Sequence, residues 1–250
     1  MSGAPSAGPA RTDVIPIAQG TGWVVVAKPP RVLVHRNAMF PREHAMLQRV
    51  RSWARRRVYP IHRLDRNTSG CLLFATAQGL AGPLSKCLAA AEKTYVCLVR
   101  GDFPHEGEVR IDTPVKLGPG NYRDAVSLVS KLGGASDPRC SILQVRPQTG
   151  RTHQVRRHVR DLHHPIVHDG KHGDSRINRW WRENYGATRL QLHCLRIDMP
   201  MPEGGRLRAV CPLFEDLHAV WSTLPYWNTV RGREPDLQRP PLRLPSTRTC

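Results

Sequence analysis

Residues 62–70 read HRLDRNTSG, so a single carboxylate, Asp65, lies between two arginines and is followed by three small polar residues and a glycine. Asn, Thr and Ser side chains bond to nearby backbone groups, and Gly tolerates positive φ, so the second half of this stretch favours a turn. Apolar runs at residues 58–61 and 71–75 flank it and predict buried extended segments. We therefore expect Asp65 on a tight loop that a rigid scaffold presents for chemistry.

The residues of this stretch alone leave two interpretations of Asp65 open. Its carboxylate can accept hydrogen bonds from the amides that follow it, and a flanking arginine can be an ordinary surface partner. Alternatively, the carboxylate serves a reaction. The stretch by itself favours the first interpretation, so the rest of the chain has to decide.

Four segments of the chain resemble motifs of one enzyme family. Residues 62–70 resemble the HRLDxxTSG motif of the RluA-type pseudouridine synthases, in which the Asp is the essential catalytic carboxylate. Residues 28–36, KPPRVLVHR, are similar to the family's KPxGxxVH segment. Residues 93–101, KTYVCLVRG, resemble KxYxAxVxG, and residues 147–156, PQTGRTHQVR, resemble PxTGRTHQIR. The resemblance extends over about residues 22–224.

Two details refine this resemblance. Arg31 stands where the family's KPxGxxVH segment has glycine, which makes that turn less predictable. Residues 164–174, HPIVHDGKHGD, and the short form of the chain are most similar to the tRNA branch, the TruC-like tRNA pseudouridine-65 synthases. The resemblance thus points to a tRNA-modifying member of the family.

The resemblance implies an α+β fold, with a long mixed, mainly antiparallel sheet, flanking helices and no N-terminal accessory RNA-binding domain. Within it, we expect a disordered N-terminus at residues 1–13, a catalytic domain at residues 14–227 and a flexible tail, rich in Pro and Arg, at residues 228–250. Spacing predicts an amphipathic helix with a basic face within residues 41–57 and a helix at residues 80–91 with Pro83 in its first turn.

The resemblance also implies roles for five residues. Asp65 is the catalytic carboxylate, which either attacks ribose C1′ or removes the 2′ proton. Arg151 is the cation expected to keep Asp65 ionised, and Tyr95 stacks on the target uracil. Arg63 fills the space that the flipped uridine leaves, and Leu192 lines the base pocket. Without the resemblance, Arg151 is a helix-start ion pair, Arg63 a phosphate contact, and Tyr95 and Leu192 core residues.

The implied reaction is the isomerisation of a specific uridine to pseudouridine in RNA, most similar to that of tRNA position 65. Ribosomal RNA is the alternative substrate, and a non-catalytic basic RNA-binding protein on the same fold is the alternative of another class. The reaction breaks the bond from N1 to C1′ and joins C5 to C1′. Nothing is oxidised, so no cofactor is expected, and the sequence contains neither a P-loop nor a dinucleotide fingerprint.

Charge and composition agree with an RNA partner. The formal net charge is +18, which favours a polyanion. Seven cysteines include no CxxC pair, which argues against a disulfide framework or a zinc ribbon and fits a reducing cytoplasm. We expect no membrane association, a monomer and no metal, although five histidines cluster at residues 158, 163, 164, 168 and 172. Trp180 and Trp181 are either an RNA-stacking patch or core residues.

Overall fold

Ten strands form one sheet at the centre of the protein, and two more form a separate hairpin. The computed structural model describes residues 14–245, apart from the side chain of Leu117. The strands are β1 (Ile15–Gly20), β2 (Trp23–Lys28), β3 (Tyr59–Pro60), β4 (Ser69–Ala75), β5 (Glu92–Arg100), β6 (Val109–Ile111), β7 (Val115–Gly118), β8 (Asn121–Arg123), β9 (Ser127–Ser136), β10 (Arg139–Pro147), β11 (Leu192–Pro200) and β12 (Arg206–Val210).

Helices flank this sheet. They are α1 (Met46–Ala54), α2 (Gln78–Ala89), α3 (Gln154–Asp161), α4 (Ser175–Tyr185), α5 (Glu215–Trp221) and α6 (Trp227–Arg233), followed by a 3₁₀ helix at Pro235–Gln238. In the part of the chain that the structure describes, none of these helices has the length and apolar character needed to cross a membrane.

The sheet is mixed and mainly antiparallel, as the resemblance implied. Its strand order is β1-β2-β4-β11-β5-β10-β9-β6, with β12 paired to β11 and β3 paired to β4. Strands β11 and β4 run parallel, whereas β11 pairs antiparallel with β5. This arrangement brings the start of β4 beside the start of β11, so the end of the HRLDRNTSG loop lies at the middle of the sheet.

Strand β4 shows why the sheet forms here. Its sequence, SGCLLFA, is buried at every position, as expected for a strand covered on both faces. Leu72 and Phe74 pack with Val50 of α1 on one face. On the other face, Leu73 packs with Leu84 of α2. The apolar run after the loop therefore anchors it between two helical layers.

The predicted helix boundaries needed correction. Helix α1 ends at Ala54 because Arg55 adopts a left-handed conformation with φ of 51°. Helix α2 begins at Gln78, so Pro83 lies in its second turn and not in its first. Helix α4 separates the two tryptophans, since Trp181 is 2 % exposed in the core and Trp180 is 43 % exposed at the surface.

The expected flexible tail is the largest difference. Residues 228–245 continue through α6 and the 3₁₀ helix, and Leu237 is buried. The expectation rested on prolines and arginines, but the acidic residues between them matter more. Glu234 and Asp236 are buried and both contact the guanidinium of Arg196 on β11. The folded unit thus extends past residue 227, while residues 1–13 and 246–250 lie outside the described residues.

Candidate active site

Gly70 fixes the end of the HRLDRNTSG loop against the sheet. Its φ is 123°, and it lies directly beside Cys194 of β11. A Cβ atom added at Gly70 would lie 2.2 Å from the Cys194 carbonyl oxygen, a distance that real side chains do not reach. Only glycine allows β4 and β11 to approach this closely. The amide of Thr68 donates to the Asp65 carbonyl at 3.1 Å and closes the turn.

A buried lysine supports the same loop from the other side. The ammonium of Lys28 is fully buried and donates to the carbonyls of Pro29, Val32 and Arg66 at 2.9, 2.7 and 3.0 Å. Burial lowers the pKa of Lys28 well below its ordinary value, and the charge of Arg189 lowers it further. The bond to Arg66 fixes the backbone next to Asp65, so the carboxylate has a rigid support.

One cavity of about 310 Å³ brings all five residues of the sequence prediction together. Its lining includes Asp65 from the loop, Tyr95 from β5 and Leu192 from the start of β11. Arg63 and Arg151 lie at its exposed rim. The structure thus assembles these residues around one space, although they come from four distant parts of the chain.

The expected pairing of Arg151 with Asp65 is wrong, because Arg156 holds that position. Arg156 Nη1 donates to Asp65 Oδ2 at 2.9 Å. Its Nε and Nη2 donate to both oxygens of Asp169 at 2.7 and 2.8 Å. Arg151 is exposed and donates through Nε to the carbonyl of Asp124 at 3.0 Å. Arg151 precedes α3, whereas Arg156 lies on its buried side.

The Arg156–Asp169 pair is ionised. Burial lowers the pKa of Arg156, but hydrogen bonds and charge from Asp169 and Asp65 outweigh it and raise that pKa. Burial raises the pKa of Asp169, but Arg156 and the amides of Lys171 and His172 lower it below its ordinary value. A buried carboxylate with a bidentate arginine partner stays charged. The guanidinium therefore remains available to Asp65.

Tyr95 and Leu192 form the apolar part of the cavity. Leu192 is 3 % exposed, and Tyr95 is partly buried. Burial raises the pKa of the Tyr95 phenol well above its ordinary value, and the neighbouring Cys194 raises it further. The phenol is therefore protonated and uncharged, and its ring suits stacking on a flat, neutral ring.

Sequence reasoning missed three residues around Asp65, namely Arg156, Asp169 and His153. His153 Nε2 lies 3.7 Å from Asp65 Oδ2, and His153 has a left-handed φ of 55°. Arg156 and His153 belong to the quoted motif PQTGRTHQVR, and Asp169 belongs to HPIVHDGKHGD. The sequence signal that could have identified this pair is a second arginine, Arg156, and a second carboxylate, Asp169, within these two motifs. Across residues 14–245, no group of three or more His, Cys, Asp and Glu side chains is arranged to hold a metal ion.

Comparison with known sequences identifies similar proteins. The profile of a family described as RNA pseudouridylate synthase matches residues 22–161. A protein named tRNA pseudouridine synthase C from Vibrio vulnificus (strain CMCP6) is 35 % identical over 207 residues, which cover 74 % of this chain and 84 % of that protein. The protein of the same name from Haemophilus ducreyi (strain 35000HP / ATCC 700724) is 35 % identical over 202 residues, covering 72 % and 82 %.

Solved structures share the fold. Human RNA Pseudouridylate Synthase Domain Containing 1 superposes with a TM-score of 0.67 at 21 % identity, covering 85 % of this chain and 90 % of that chain. Human RNA Pseudouridylate Synthase Domain Containing 4 gives a TM-score of 0.66 at 18 % identity, covering 91 % and 95 %. At these identities the likeness concerns the architecture of the sheet and its helices.

Proposed function

The chain belongs to the RNA pseudouridylate synthase family, and we propose that it isomerises a specific uridine of tRNA to pseudouridine, with Asp65 as the catalytic carboxylate. The observation that carries this proposal is the cavity in which Asp65, Tyr95 and Leu192 meet beside a buried guanidinium. The names of the similar bacterial proteins support tRNA as the substrate. The resemblance of residues 164–174 to the tRNA branch makes uridine 65 the proposed target.

Asp65 is held so that one of its oxygens can react. Among the described residues, both side-chain contacts of its carboxylate, to Arg156 and to His153, fall on Oδ2. Oδ1 is therefore left for the substrate. An ionised oxygen at this position can trap ribose C1′ as the glycosidic bond breaks, as in a retaining glycosidase. The same oxygen can instead take the 2′ proton and pass through a glycal.

The rest of the cavity suits the detached uracil. A cavity of about 310 Å³ is at the lower end of ligand-site volumes, which fits one flipped nucleoside. Tyr95 offers its ring for stacking, which contributes about 1–3 kcal/mol per base in other RNA-binding proteins. Because burial keeps its phenol protonated, we assign the binding role to the ring. Leu192 closes the apolar side, which keeps the base in place while it turns.

Arg63 and the overall charge concern the rest of the RNA. Arg63 is exposed at the cavity rim, where it can enter the space vacated by the flipped uridine or contact a phosphate. The net charge of +18 supports a large phosphate-contacting surface. We expect RNA affinity to fall steeply as salt is raised, because every neutralised phosphate releases counterions.

Incubation of the purified protein with unmodified tRNA transcripts tests the proposal. Pseudouridine would be mapped by carbodiimide labelling and primer extension, with ribosomal RNA fragments in parallel. We expect modification of a single tRNA position by the wild type and none by Asp65→Asn, which should still bind the RNA. Modification of ribosomal RNA alone would overturn the tRNA assignment. Product from Asp65→Asn would overturn the role of Asp65, and no product from any RNA would overturn the activity.

A further inference from the structure

A row of two histidines connects Asp65 to the protein surface. His153 Nε2 lies 3.7 Å from Asp65 Oδ2. His153 Nδ1 lies 3.1 Å from His172 Nε2. On the far side, His172 Nδ1 lies 3.5 Å from Nη1 of Arg160, whose side chain is 44 % exposed. The two imidazoles therefore form a continuous row of contacts from solvent to the carboxylate, in which each ring has a neighbour at both of its nitrogens.

The two ends of this row fix the direction of its hydrogen bonds. A guanidinium only donates, so His172 Nδ1 facing Arg160 has to be the acceptor. In a neutral ring the proton is then on Nε2, which donates to His153 Nδ1. The proton of His153 is consequently on its own Nε2, the nitrogen that faces Asp65 Oδ2 at 3.7 Å. This distance is longer than a direct hydrogen bond, but the negative charge of the carboxylate favours the same direction.

Both rings are neutral at physiological pH. Burial lowers the pKa of His153, and Arg156, Lys171 and Arg157 lower it further, against the opposing charge of Asp65. Burial also lowers the pKa of His172, to about 4, despite the opposing charge of Asp169. The charges of Arg156 and Arg160, and of His153 when it is protonated, lower the pKa of His172 further. Neutral rings satisfy the condition on which the direction of the row depends.

The backbone holds both histidines in place. His153 has a left-handed φ of 55°, a conformation that residues other than glycine rarely adopt. Such a conformation is typical of functional positions. The amide of His172 donates to Asp169 Oδ1 at 3.0 Å, and Asp169 is also the bidentate partner of Arg156. Asp65, Arg156, Asp169, His172 and His153 thus form a closed ring of contacts.

We propose that His153, oriented by His172, is a positioning residue that directs a neutral N–H at Asp65 Oδ2. Together with Arg156 it fixes one carboxylate oxygen and leaves the other for the substrate. A neutral donor orients the carboxylate without offering it a proton that would quench its negative charge. This proposal rests on the proposed function only in taking Asp65 as the reacting group, since the row itself can be observed without RNA.

Nitrogen-15 NMR of the histidine rings tests the row directly on the full chain at pH 7. The His153→Asn variant assigns the signals of His153, because Asn tolerates the left-handed conformation. His172→Gln assigns those of His172. We expect both rings to be neutral with the proton on Nε2. A proton on Nδ1 of either ring, or a charged ring, would overturn the proposal whether or not the protein modifies RNA.

Single-turnover kinetics then test the consequence. His172→Leu cannot donate to His153, whereas the amide of His172→Gln can. We expect the leucine variant to react up to about tenfold more slowly at unchanged RNA affinity, the effect of losing the one hydrogen bond that orients His153. The glutamine variant should recover most of the rate. His105→Gln, at an exposed loop histidine, should match the wild type. Equal rates for all variants, or a loss of RNA affinity alone in His172→Leu, would contradict the positioning role.

Discussion

Two arginines hold the HRLDRNTSG loop through the same pattern of hydrogen bonds, one at Asp65 and the other at Ser69. Arg156 binds Asp169 through two hydrogen bonds of 2.7 and 2.8 Å and uses its remaining Nη1 on Asp65, at 2.9 Å. Arg189 binds Asp216 through two hydrogen bonds of 2.7 and 2.9 Å and uses its Nη1 on Ser69 Oγ, at 3.0 Å. Each arginine thus joins a bidentate aspartate to one residue of the loop.

Each arrangement continues from its loop residue to a histidine, from Asp65 to His153 and from Ser69 to His193. The two arrangements differ at this point. Ser69 Oγ lies 2.8 Å from His193 Nδ1, and His193 Nε2 donates to the Cys211 carbonyl at 2.9 Å. Ser69 and His193 are both fully buried, and every polar atom of this row has a partner. At the other end, the Asp65 side chain is 21 % exposed at the cavity and keeps one oxygen for a substrate. We call Asp216, Arg189, Ser69 and His193 the closed row, and it anchors the loop. We call Asp169, Arg156, Asp65, His153 and His172 the open row, and it leaves a charge that can react.

Replacing the loop residue of each row should give the largest contrast. We expect Asp65→Asn to lower the single-turnover rate by on the order of 10⁴ or more, because the reacting charge is lost. Its free energy of unfolding should change by less than about 1 kcal/mol. Ser69→Ala should lower the free energy of unfolding by about 1–3 kcal/mol, because Arg189 and His193 lose a partner. It should retain the activity of its folded fraction.

Urea unfolding and tRNA modification by the same protein preparations would measure both effects. The contrast between the rows fails if Asp65→Asn loses its fold, since Asp65 would then be a turn cap. It also fails if Ser69→Ala stops turnover without loss of stability.

Removing the arginines should separate the two rows by reaction rate. Arg156→Met leaves the buried Asp169 without its cation, at a cost of about 3–5 kcal/mol in unfolding free energy. Arg189→Met leaves Asp216 without its cation, and this cost should be smaller because the Asp216 side chain is 20 % exposed. Only Arg156→Met also removes the positive charge beside Asp65. We therefore expect Arg156→Met to lower the single-turnover rate of its folded fraction by about ten- to a hundredfold, because the reacting carboxylate loses a charge-assisted hydrogen bond. The rate of Arg189→Met should stay close to that of the wild type.

Single-turnover rates at pH 8 would decide, under conditions in which circular dichroism shows both variants folded. An unchanged rate for Arg156→Met would show that the guanidinium serves the fold and not the reacting carboxylate. Arg151→Met is the matched control, since Arg151 lies at the same cavity but donates to a backbone carbonyl.

Local sequence was enough to predict the loop and its neighbours. The apolar run of β4, the turn residues before it and the motif tyrosine each act within a few positions of the chain. Asp65, Tyr95 and Leu192, which the family resemblance assigned to the site, meet in one cavity. The choice between Arg151 and Arg156 could not be made in this way. It depends on the left-handed turn at His153, which sets the side of α3 that faces the loop.

The prediction of a flexible tail was wrong for residues 228–245 for a related reason. Proline and arginine content predicts a flexible segment when only composition is considered. In the structure, Arg196 and Arg208 of the sheet bind Asp236, 40 and 28 positions further along the chain. Pro235 begins a 3₁₀ helix and does not interrupt order there. Charge pairing over such separations is a property of the fold, so composition carried no signal for it.

The smallest expected effect distinguishes the histidines of the two rows through the pH dependence of stability. Burial lowers the pKa of His193 from 6.5 to about 4, so the unfolded chain binds a proton over this interval that the folded chain does not. The contribution of His193 to the free energy of unfolding should therefore be fully present above pH 6.5. It should decrease by on the order of 3 kcal/mol as the pH is lowered towards 4. His172 also has a pKa lowered to about 4, but it is only partly buried, so water reduces its contribution.

His193→Gln can still donate to the Cys211 carbonyl and accept from Ser69, so its stability at pH 8 should remain close to the wild type. Urea unfolding at pH 5 and pH 8 should show a smaller difference for His193→Gln than for His172→Gln, relative to the wild type. If His172→Gln reduced the pH dependence more, the open row would be the acid-sensitive one, and the closed row would not be the anchor proposed here.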